Sequence, residues 1–245
     1  MKKALVTGAN KSIGLETVRQ LAQKGYFVYL GSRDLTKGQE AINKLNAEGL
    51  TNIELVQLDV SNESAVAQSQ SFIAARTSSL DLLINNAGIS GGFPQRPSDT
   101  IQTVIREVFD TNFFGAIHVT QTFLPLLRSA PVPVIVNVTS GLASLTLHSD
   151  PDWMYYAVKG AAYGPSKTAL NAYTVALAHE LRDTPVKVNV VDPGYTATDF
   201  NNYSGHQNVV DSAAFVVKYA TIGADGPTGK FFSHDYTEKD NQSPW

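Results

Sequence analysis

The sequence predicts an α/β fold: one doubly wound parallel sheet with helices on both of its faces. Short strand-like runs alternate with segments of helical apolar spacing along most of the chain. The strand-like runs are apolar and rich in β-branched residues at successive positions, as in strands that are buried on both faces. The length of 245 residues suits one large domain of this class, so we expect a single domain over residues 1–245.

The first half of the chain contains the clearest strand–helix alternation. Residues 3–7 form an apolar run that ends at Gly8, and apolar side chains then recur at helical spacing over residues 13–24. Gly49 follows a second helical segment, in the position where glycine commonly ends a helix. In order, we predict strands at residues 3–7, 26–30, 53–58 and 80–84, and helices at residues 13–24, 35–47 and 64–76.

The second half continues the alternation after one long interruption. Helical spacing covers residues 100–110 and 114–127, and a buried strand follows at residues 134–138. Beyond an irregular segment, we predict a helix at residues 166–181 and a strand at residues 186–191. Parallel strands joined by right-handed crossovers bind ligands beyond their carboxyl ends. The residues that follow each strand are therefore the candidates for chemistry.

Composition excludes several classes of function. Hydrophobic residues make up 43% and charged residues 17% of the chain, the balance of a globular protein. The net charge is −3 and no run of like charges exceeds Lys2 and Lys3, so nothing indicates binding to nucleic acid or to an anionic membrane. The chain has no cysteine, and its histidines lack ligand spacing, which argues against a metal site. A small molecule is the expected partner.

The N-terminus carries no targeting signal that we can identify. Lys2 and Lys3 are followed by an apolar stretch that is too short for a signal peptide, and no apolar span of membrane length occurs. We therefore expect a cytoplasmic protein that does not enter a membrane.

A glycine-containing turn follows the first strand. Residues 7–14 read Thr-Gly-Ala-Asn-Lys-Ser-Ile-Gly, between a strand and the first turn of a helix. Such a turn lets a pyrophosphate approach the backbone and the helix N-terminus, although a tight turn with glycines is also an ordinary strand–helix connection. The candidate cofactor-binding residues of this turn are Gly8, Asn10, Lys11, Ser12, Ile13 and Gly14.

The turn and further motifs resemble those of the classical short-chain dehydrogenases/reductases, and in particular of carbonyl reductases. The motifs occur in the family's order over nearly the whole chain: residues 7–14, 85–88, Asn112, Ser140, 163–167 and 193–194. The resemblance implies a Rossmann-type fold and a nicotinamide cofactor. One position departs from the family pattern, because Ser12 stands where the family has its middle glycine. Its Cβ narrows the approach to phosphate, while its hydroxyl adds a donor.

The end of the second strand bears on the choice of nicotinamide cofactor. An acidic side chain there accepts a hydrogen bond from a ribose 2′-hydroxyl, whereas an arginine pairs with a 2′-phosphate. Ser32 and Arg33 stand at this position, and Lys11 supplies a second cation, so the sequence favours NADPH (NADP⁺). The alternative is that Asp34 binds the ribose and that Arg33 is a solvated surface residue.

Two more strand ends resemble cofactor contacts of the family. Asp59 and Val60 follow the third strand and match the pair that contacts adenine, while Asn86, Ala87 and Gly88 follow the fourth strand and match the segment beside the adenine ribose. Each segment also has a plain structural interpretation. Asp59 is suited to starting a turn or capping a helix, and asparagines stabilise turns through side-chain hydrogen bonds.

Two tyrosine–lysine pairs have the spacing that places both side chains on one face of a helix. Carbonyl reduction needs an acid beside the developing oxyanion, and a nearby ammonium group lowers a tyrosine pKa. Tyr163 and Lys167 lead into a long helical pattern, whereas Gly160 directly follows the competing pair Tyr155 and Lys159. We therefore predict that Tyr163 is the catalytic acid and base and that Lys167 assists it. The resemblance implies that Tyr163 and Lys167 also contact the cofactor, Lys167 at the nicotinamide ribose.

Ser140 and Asn112 complete the catalytic set that the resemblance implies. Ser140 follows the strand at residues 134–138 and matches the serine that orients the substrate oxygen, although Thr139 is an alternative. Asn112 lies within a helical pattern, where asparagine is an unfavourable choice. In the family this asparagine interrupts the helix and holds a water that extends a proton relay from the lysine.

The resemblance also assigns the segment after the last predicted strand. Pro193, Gly194, Thr196 and Thr198 match the family's contacts to the nicotinamide carboxamide. Together these residues imply reversible hydride transfer between NADPH and the carbon of a ketone or aldehyde, with the tyrosine as general acid and base. The alternatives are a 3-oxoacyl thioester reductase, for which no basic cluster is evident, and a non-catalytic NADP-sensing interaction protein.

An extended segment between Ser140 and Tyr163 predicts an apolar or aromatic substrate. Similar carbonyl reductases also lengthen this segment. The alternatives are that its side chains pack on the protein or that it hinders the family's tetramer, so a homo-oligomer and a monomer both stay open. The expected walls are Phe93, Pro94, Leu142, Leu145, Leu147, Trp153, Met154, Tyr156 and residues 200–206.

Overall fold

The structure is a computed structural model that describes residues 1–245 and contains one seven-stranded sheet. The strands are β1 (Lys3–Val6), β2 (Phe27–Ser32), β3 (Ile53–Gln57), β4 (Leu82–Asn85), β5 (Val134–Val138), β6 (Lys187–Asp192) and β7 (Phe231–Ser233). The α-helices are α1 (Ser12–Gln23), α2 (Leu35–Ala47), α3 (Glu63–Ala74), α4 (Gln102–Phe109), α5 (Gly115–Arg128), α6 (Leu145–His148), α7 (Tyr163–Glu180) and α8 (Val209–Ala220).

The sheet confirms the predicted fold class. All neighbouring strands are parallel and their order is β3-β2-β1-β4-β5-β6-β7. The order reverses between β1 and β4, which is where a doubly wound sheet opens its binding crevice.

Helices cover both faces of the sheet. Ala4 and Val6 of β1 pack in the cluster that contains α1, α2 and α8, whereas Leu5 between them packs in the cluster that contains α3, α5 and α7. Successive strand side chains point to opposite faces, so burial on both faces requires apolar residues at every position. None of the helices has the length and apolar character needed to cross a membrane.

Two helices differ from their predicted bounds in ways that affect the site. The helical segments predicted at residues 100–110 and 114–127 are joined by a π-helical turn, Asp110–Phe114. The helix predicted from residue 166 begins at Tyr163, because Pro165 lies in its first turn, where a backbone N–H has no helical partner. The first difference places Asn112 in the π-helical turn, and the second places Tyr163 at the start of α7.

The sequence patterns did not predict α8 or β7. Asn208 caps α8 by accepting a hydrogen bond from the Asp211 amide at 2.8 Å, a signal that is present in the sequence. Strand β7 has three residues, too few for a recognisable period, and depends on pairing with β6. These elements bring the segment after Ser233 to the edge where the candidate site lies.

Candidate active site

The glycine turn after β1 packs directly against the end of β4. A Cβ on Gly8 would lie 2.8 Å from Ala87 Cα, and one on Gly14 would lie 2.5 Å from Asn86 Nδ2. Gly8 has φ +61°, a region that glycine enters at no steric cost. The two predicted cofactor segments are therefore one continuous surface at the carboxyl edge of the sheet.

Asn86 holds the glycine turn in place. Its side-chain Nδ2 donates to the carbonyl oxygens of Thr7 at 2.9 Å and Gly8 at 3.1 Å. The Thr7 hydroxyl in turn accepts from the backbone amides of Asn86 and Ala87, both at 3.0 Å. Asn86 thus stabilises the turn, and its side-chain amide forms its hydrogen bonds within the protein.

The side chains of Lys11 and Ser12 contact a residue from the segment after β6. The Asp199 carboxylate pairs with the Lys11 ammonium and accepts a hydrogen bond from the Ser12 hydroxyl at 2.7 Å. Ser12 adopts φ +51°, which explains why this position suits glycine. These contacts tie the glycine turn to the 3₁₀ helix Asp199–Asn201.

The three candidate residues at the end of β2 differ in their contacts. Arg33 is exposed and forms no hydrogen bond or ion pair with the rest of the chain. The Asp34 carboxylate accepts from the Lys37 amide at 3.1 Å and caps α2. Ser32 is fully buried, and its hydroxyl donates to the Asp34 carbonyl at 2.7 Å. Arg33 is therefore the available donor here, while the other two side chains have structural partners.

Asp59 and Val60 occupy structural positions after β3. Asp59 Oδ1 accepts from the Ser61 amide at 3.0 Å and from the Ser61 hydroxyl at 2.7 Å, which is the turn-starting role. Val60 is 5% exposed and packs against α5, where a Cβ on Gly115 would lie 2.8 Å from Val60 Cγ2. Both residues lie at the carboxyl edge, and their observed contacts are within the protein.

Tyr163 and Ser140 meet although they lie on different elements. Tyr163 starts α7 and Ser140 follows β5, and the Ser140 hydroxyl lies close enough to the Tyr163 phenol to affect its pKa. Burial raises the pKa of Tyr163, and the nearby Asp192 carboxylate raises it further, whereas the neighbouring Ser140 hydroxyl, a potential donor to the phenolate, lowers it. Thr139, the alternative to Ser140, is buried and donates to Asn171 Oδ1 at 2.8 Å. Ser140 is thus the hydroxyl that faces the tyrosine.

Lys167 lies one helical turn beyond Tyr163 and is 4% exposed. Its ammonium group donates to the Val138 carbonyl at 2.8 Å and lies 6.0 Å from the centroid of the Tyr163 ring. Burial lowers the pKa of Lys167 to about 8, against an opposing effect of Asp192. The pKa of Tyr163 stays above its ordinary value, so the expected lowering requires positive charge beyond what the chain supplies.

The competing pair Tyr155 and Lys159 lies outside any helix. The Tyr155 hydroxyl donates to Asp235 Oδ2 at 2.9 Å, and the Lys159 ammonium donates to the His148 carbonyl at 2.6 Å. Burial raises the pKa of Tyr155, as does its bond to the Asp235 carboxylate. The two side chains serve separate structural contacts, so only the pair on α7 has the expected helical arrangement.

Asn112 interrupts a helix as the resemblance implied, because it sits in the π-helical turn. Its side chain accepts from the Ile89 amide at 2.8 Å and donates to the Ile89 carbonyl and the Ser166 hydroxyl, both at 3.0 Å. A Cβ on Gly88 would lie 3.2 Å from Asn112 Oδ1 and 3.5 Å from Lys167 Nζ. Asn112 and Lys167 therefore flank the same glycine at the end of β4.

The segment after β6 is held mainly by its own contacts. Gly194 has φ +81°, and a Cβ there would lie 2.7 Å from Asp235 Oδ1. The Thr196 hydroxyl is buried between the Gly194 carbonyl at 3.0 Å and the Ser212 hydroxyl at 2.6 Å. Thr198 caps the adjoining 3₁₀ helix, and Pro193 is buried. The residues predicted to contact the carboxamide therefore lie in a segment that is hydrogen-bonded within the protein.

Sequence reasoning missed two buried residues that lie beside the candidate catalytic residues. Gln95 is 3% exposed, and its Oε1 accepts from the amides of Ala162 at 3.2 Å and Tyr163 at 3.1 Å, at the start of α7. Asp192 is 4% exposed and ends β6 beside the tyrosine and lysine. A carboxylate directly after an apolar strand was a usable signal for Asp192, whereas Gln95 lies in a segment without any pattern.

An aromatic row extends from the segment before α7 to the segment after β6. Ring centroids lie 5.3 Å apart for Trp153 and Tyr155, 6.0 Å for Tyr155 and Tyr195, and 6.0 Å for Tyr195 and His206. Phe200 packs against Tyr163 at 5.4 Å. Several predicted wall residues instead have substantially exposed side chains, namely Phe93, Leu145, Met154 and Tyr156.

The sequence as a whole matches one protein family. The family model described as short chain dehydrogenase matches residues 2–209. The chain belongs to the short-chain dehydrogenase family. A curated relative, (+)-neomenthol dehydrogenase of Capsicum annuum, is 31% identical, and the match covers 94% of each chain. The resemblance inferred from the motifs is therefore confirmed, and the protein is an oxidoreductase of this family.

Solved structures of other short-chain dehydrogenases share the fold. Salutaridine reductase from Papaver somniferum is 30% identical, with a TM-score of 0.83 over 96% of this chain and 100% of that one. ElxO, solved with NADP bound, is 26% identical, with a TM-score of 0.81 over 95% of this chain and 96% of that one. This short-chain dehydrogenase thus has the Rossmann-type fold of its family.

Proposed function

We propose that this short-chain dehydrogenase catalyses the reversible, NADPH-dependent reduction of a ketone or aldehyde to an alcohol. The observation that carries the proposal is the meeting of Ser140, Tyr163 and Lys167 at the carboxyl edge of the sheet. The Ser140 hydroxyl lies beside Tyr163, and the buried Lys167 lies one helical turn away. This arrangement supplies a proton donor and a second hydroxyl for one substrate oxygen.

The chain's own residues account for the proton chemistry of the proposed reaction. NADPH, when bound, supplies the hydride. Ser140 orients the carbonyl oxygen, and Tyr163 donates its proton to that oxygen as negative charge develops there. The Lys167 ammonium favours the resulting phenolate. Asn112, beside Lys167, is suited to extend the route by which Tyr163 regains its proton.

The proposed preference for the 2′-phosphate of NADPH rests on side chains at the ends of β1 and β2. Arg33 is exposed and unpaired, and Lys11 is 64% exposed on its side chain, so both are accessible to a phosphate. The Asp34 carboxylate, the alternative partner for the ribose, caps α2 and accepts a hydrogen bond from the Lys37 amide. Ser32 is buried with a satisfied hydroxyl, so we leave it out of the proposed phosphate site.

We further propose that the carbonyl substrate is apolar or aromatic. The Trp153, Tyr155 and Tyr195 rings lie in contact beside the catalytic edge, and Phe200 packs on Tyr163. Aromatic side chains bind apolar surface and aromatic rings of small molecules well.

The test is the rate of NADPH oxidation with an activated aromatic ketone, measured for the parent, Tyr163→Phe and Tyr155→Phe. We expect Tyr163→Phe to abolish turnover and Tyr155→Phe to retain it, with NADPH preferred over NADH. Loss of turnover in Tyr155→Phe alone would assign the acid to the other tyrosine. A parent that binds NADPH without turning over any carbonyl compound would contradict the proposal in favour of a cofactor-sensing role.

A further inference from the structure

Asp192 is a buried carboxylate that the proposed mechanism leaves without a role. It is the last residue of β6 and is 4% exposed. A buried ionisable group costs free energy unless hydrogen bonds compensate for the lost water. Its retention beside the tyrosine and lysine therefore needs a structural explanation.

The Asp192 carboxylate binds three separate segments of the chain. Oδ1 accepts from the Gly194 amide at 3.0 Å, and Oδ2 accepts from the Ser233 hydroxyl at 2.6 Å. Oδ2 also lies against Gly141, the residue next to Ser140, since a Cβ built on Gly141 would lie 3.3 Å from it. One side chain thus joins the turn that carries Ser140, the segment after β6 and the end of β7.

The charged and titratable groups around Asp192 come from three elements. Tyr163 and Lys167 face it from α7, Asp235 faces it from the segment after β7, and Tyr155 faces it from the segment before α7. Lys167 is the one cation in this set. The ionised Asp192 carboxylate stabilises the protonated forms of both Lys167 and Tyr163, because it attracts the ammonium and repels the phenolate.

We propose that Asp192 is a positioning residue of the reaction, whose carboxylate holds the Ser140 turn and the Gly194 segment together and retains the proton on Tyr163. This inference rests on the proposed function, because the proton in question is the one that the reaction moves. Ser233 assists by donating to the same carboxylate.

The charge of Asp192 should shift the pH dependence of the reaction in one direction, which a purely structural role would not do. Burial raises the pKa of Asp192 to about 7, so the carboxylate becomes ionised as the pH rises past neutrality. Tyr163 must be deprotonated to accept the alcohol proton in the oxidative direction. Replacing Asp192 by a neutral residue removes the repulsion of the phenolate, and so lowers the pH at which Tyr163 can act as a base.

The experiment is the pH dependence of kcat/KM for alcohol oxidation at saturating NADP⁺. Parent, Asp192→Asn and Ser233→Ala are compared under the same conditions. We expect the acidic limb of the Asp192→Asn profile to move to lower pH by roughly one unit, the scale on which a nearby charge shifts a buried pKa. Ser233→Ala keeps the carboxylate but removes a hydrogen bond that favours its ionised form, so its limb should move in the same direction by a smaller amount.

A limb that stays in place in Asp192→Asn while the plateau falls would overturn the proposal and leave Asp192 a structural residue. A shift of the Ser233→Ala limb to higher pH would overturn it as well, because a less ionised Asp192 can only lower the pH at which Tyr163 acts as a base. Asp192→Ser repeats the charge change with a different hydrogen-bonding group if the asparagine variant does not fold. A parent with turnover but no shift in the variants contradicts this inference alone, whereas a parent without turnover contradicts the proposed function too.

Discussion

Asp199 accepts a hydrogen bond from the hydroxyl of Ser12 at 2.7 Å, although the two residues are 187 positions apart in sequence. The same carboxylate pairs with the ammonium of Lys11. Ser12 and Lys11 are two side-chain donors of the glycine turn, and a cofactor phosphate would compete with Asp199 for them.

Replacing Asp199 by asparagine should therefore strengthen NADPH binding. Removal of the negative charge frees the Lys11 ammonium, and an exposed ion pair of this kind is worth up to about 1 kcal/mol, which corresponds to an affinity gain of about twofold to fivefold. The measurement is the NADPH dissociation constant by fluorescence titration at low salt. Asp225→Asn, at an exposed position without a side-chain partner, is the control for net charge. Weaker binding in Asp199→Asn would mean that Asp199 supports the cofactor site.

Arg33→Ala should weaken the binding of NADPH and leave that of NADH nearly unchanged. The exposed guanidinium at the end of β2 has no intramolecular partner to lose. Loss of a charge-assisted hydrogen bond costs about 1.5–3 kcal/mol, so we expect about a tenfold to hundredfold rise in the NADPH dissociation constant. Arg128→Ala removes another exposed arginine, at the end of α5, and serves as the control. Equal losses for both cofactors would place Arg33 away from the 2′-phosphate.

Gln95→Ala should reduce both stability and catalysis. The substitution leaves the amides of Ala162 and Tyr163 without their side-chain acceptor at the start of α7. A buried donor that loses its partner costs about 1–3 kcal/mol of unfolding free energy, and the tyrosine loses its fixed position. Denaturant unfolding and kcat measure the two effects. Gln39→Ala, on the exposed face of α2, is the matched control, and a similar small change in both variants would contradict the role of Gln95.

A pair of glycine substitutions separates backbone strain from steric contact. Gly194 and Gly25 have nearly equal φ values of +81° and +83°, but only Gly194 has a neighbour, Asp235 Oδ1, at 2.7 Å from a built Cβ. Gly25→Ala should cost about 1 kcal/mol from the left-handed backbone alone. Gly194→Ala should cost more and also weaken NADPH binding. Equal costs in thermal unfolding would show that the segment after β6 moves to accommodate the Cβ.

The buried Asp192 predicts how stability depends on pH. Burial raises the pKa of its carboxyl group to about 7 in the folded protein, above the unfolded value of about 3.9. The folded state therefore holds this proton more tightly, and the associated stability is present below the unfolded pKa and lost as the pH rises towards 7. Each unit of difference corresponds to about 1.4 kcal/mol.

Denaturant unfolding of parent and Asp192→Asn between pH 4 and pH 8 measures this contribution. The free energy of unfolding of the parent should fall relative to that of the variant as the pH rises. A constant difference between the two proteins across this range would show that Asp192 titrates at its ordinary pKa.

Local sequence patterns predicted much of this protein. The strand–helix alternation from β1 to β6 can be recognised in the sequence, because the burial of a strand or helix face requires apolar residues at regular, short intervals along the chain. The spacing of Tyr163 and Lys167 is another local pattern, because residues four positions apart lie on the same face of a helix whatever surrounds them. The resemblance of the motifs then indicated the family, which the comparison confirmed.

The tertiary structure alone decided which side chains are available at those positions. The identities of Ser32, Asp34 and Asp59 do not show whether these side chains bind a cofactor or the backbone. Only their contacts in the structure show that they form hydrogen bonds within the protein. Strand β7 lacks a period of its own and forms by pairing with β6.

The catalytic edge combines both kinds of information. The sequence by itself determined the fold class and the family and predicted the Tyr163–Lys167 pair, because each follows from residues that are close together in the chain or from motifs in order. Only the tertiary structure brought Gln95 to the start of α7, 68 residues away, and Asp199 to Ser12. Such contacts depend on how the strands and helices pack, and a hydrogen bond between distant residues leaves no periodic trace in the sequence.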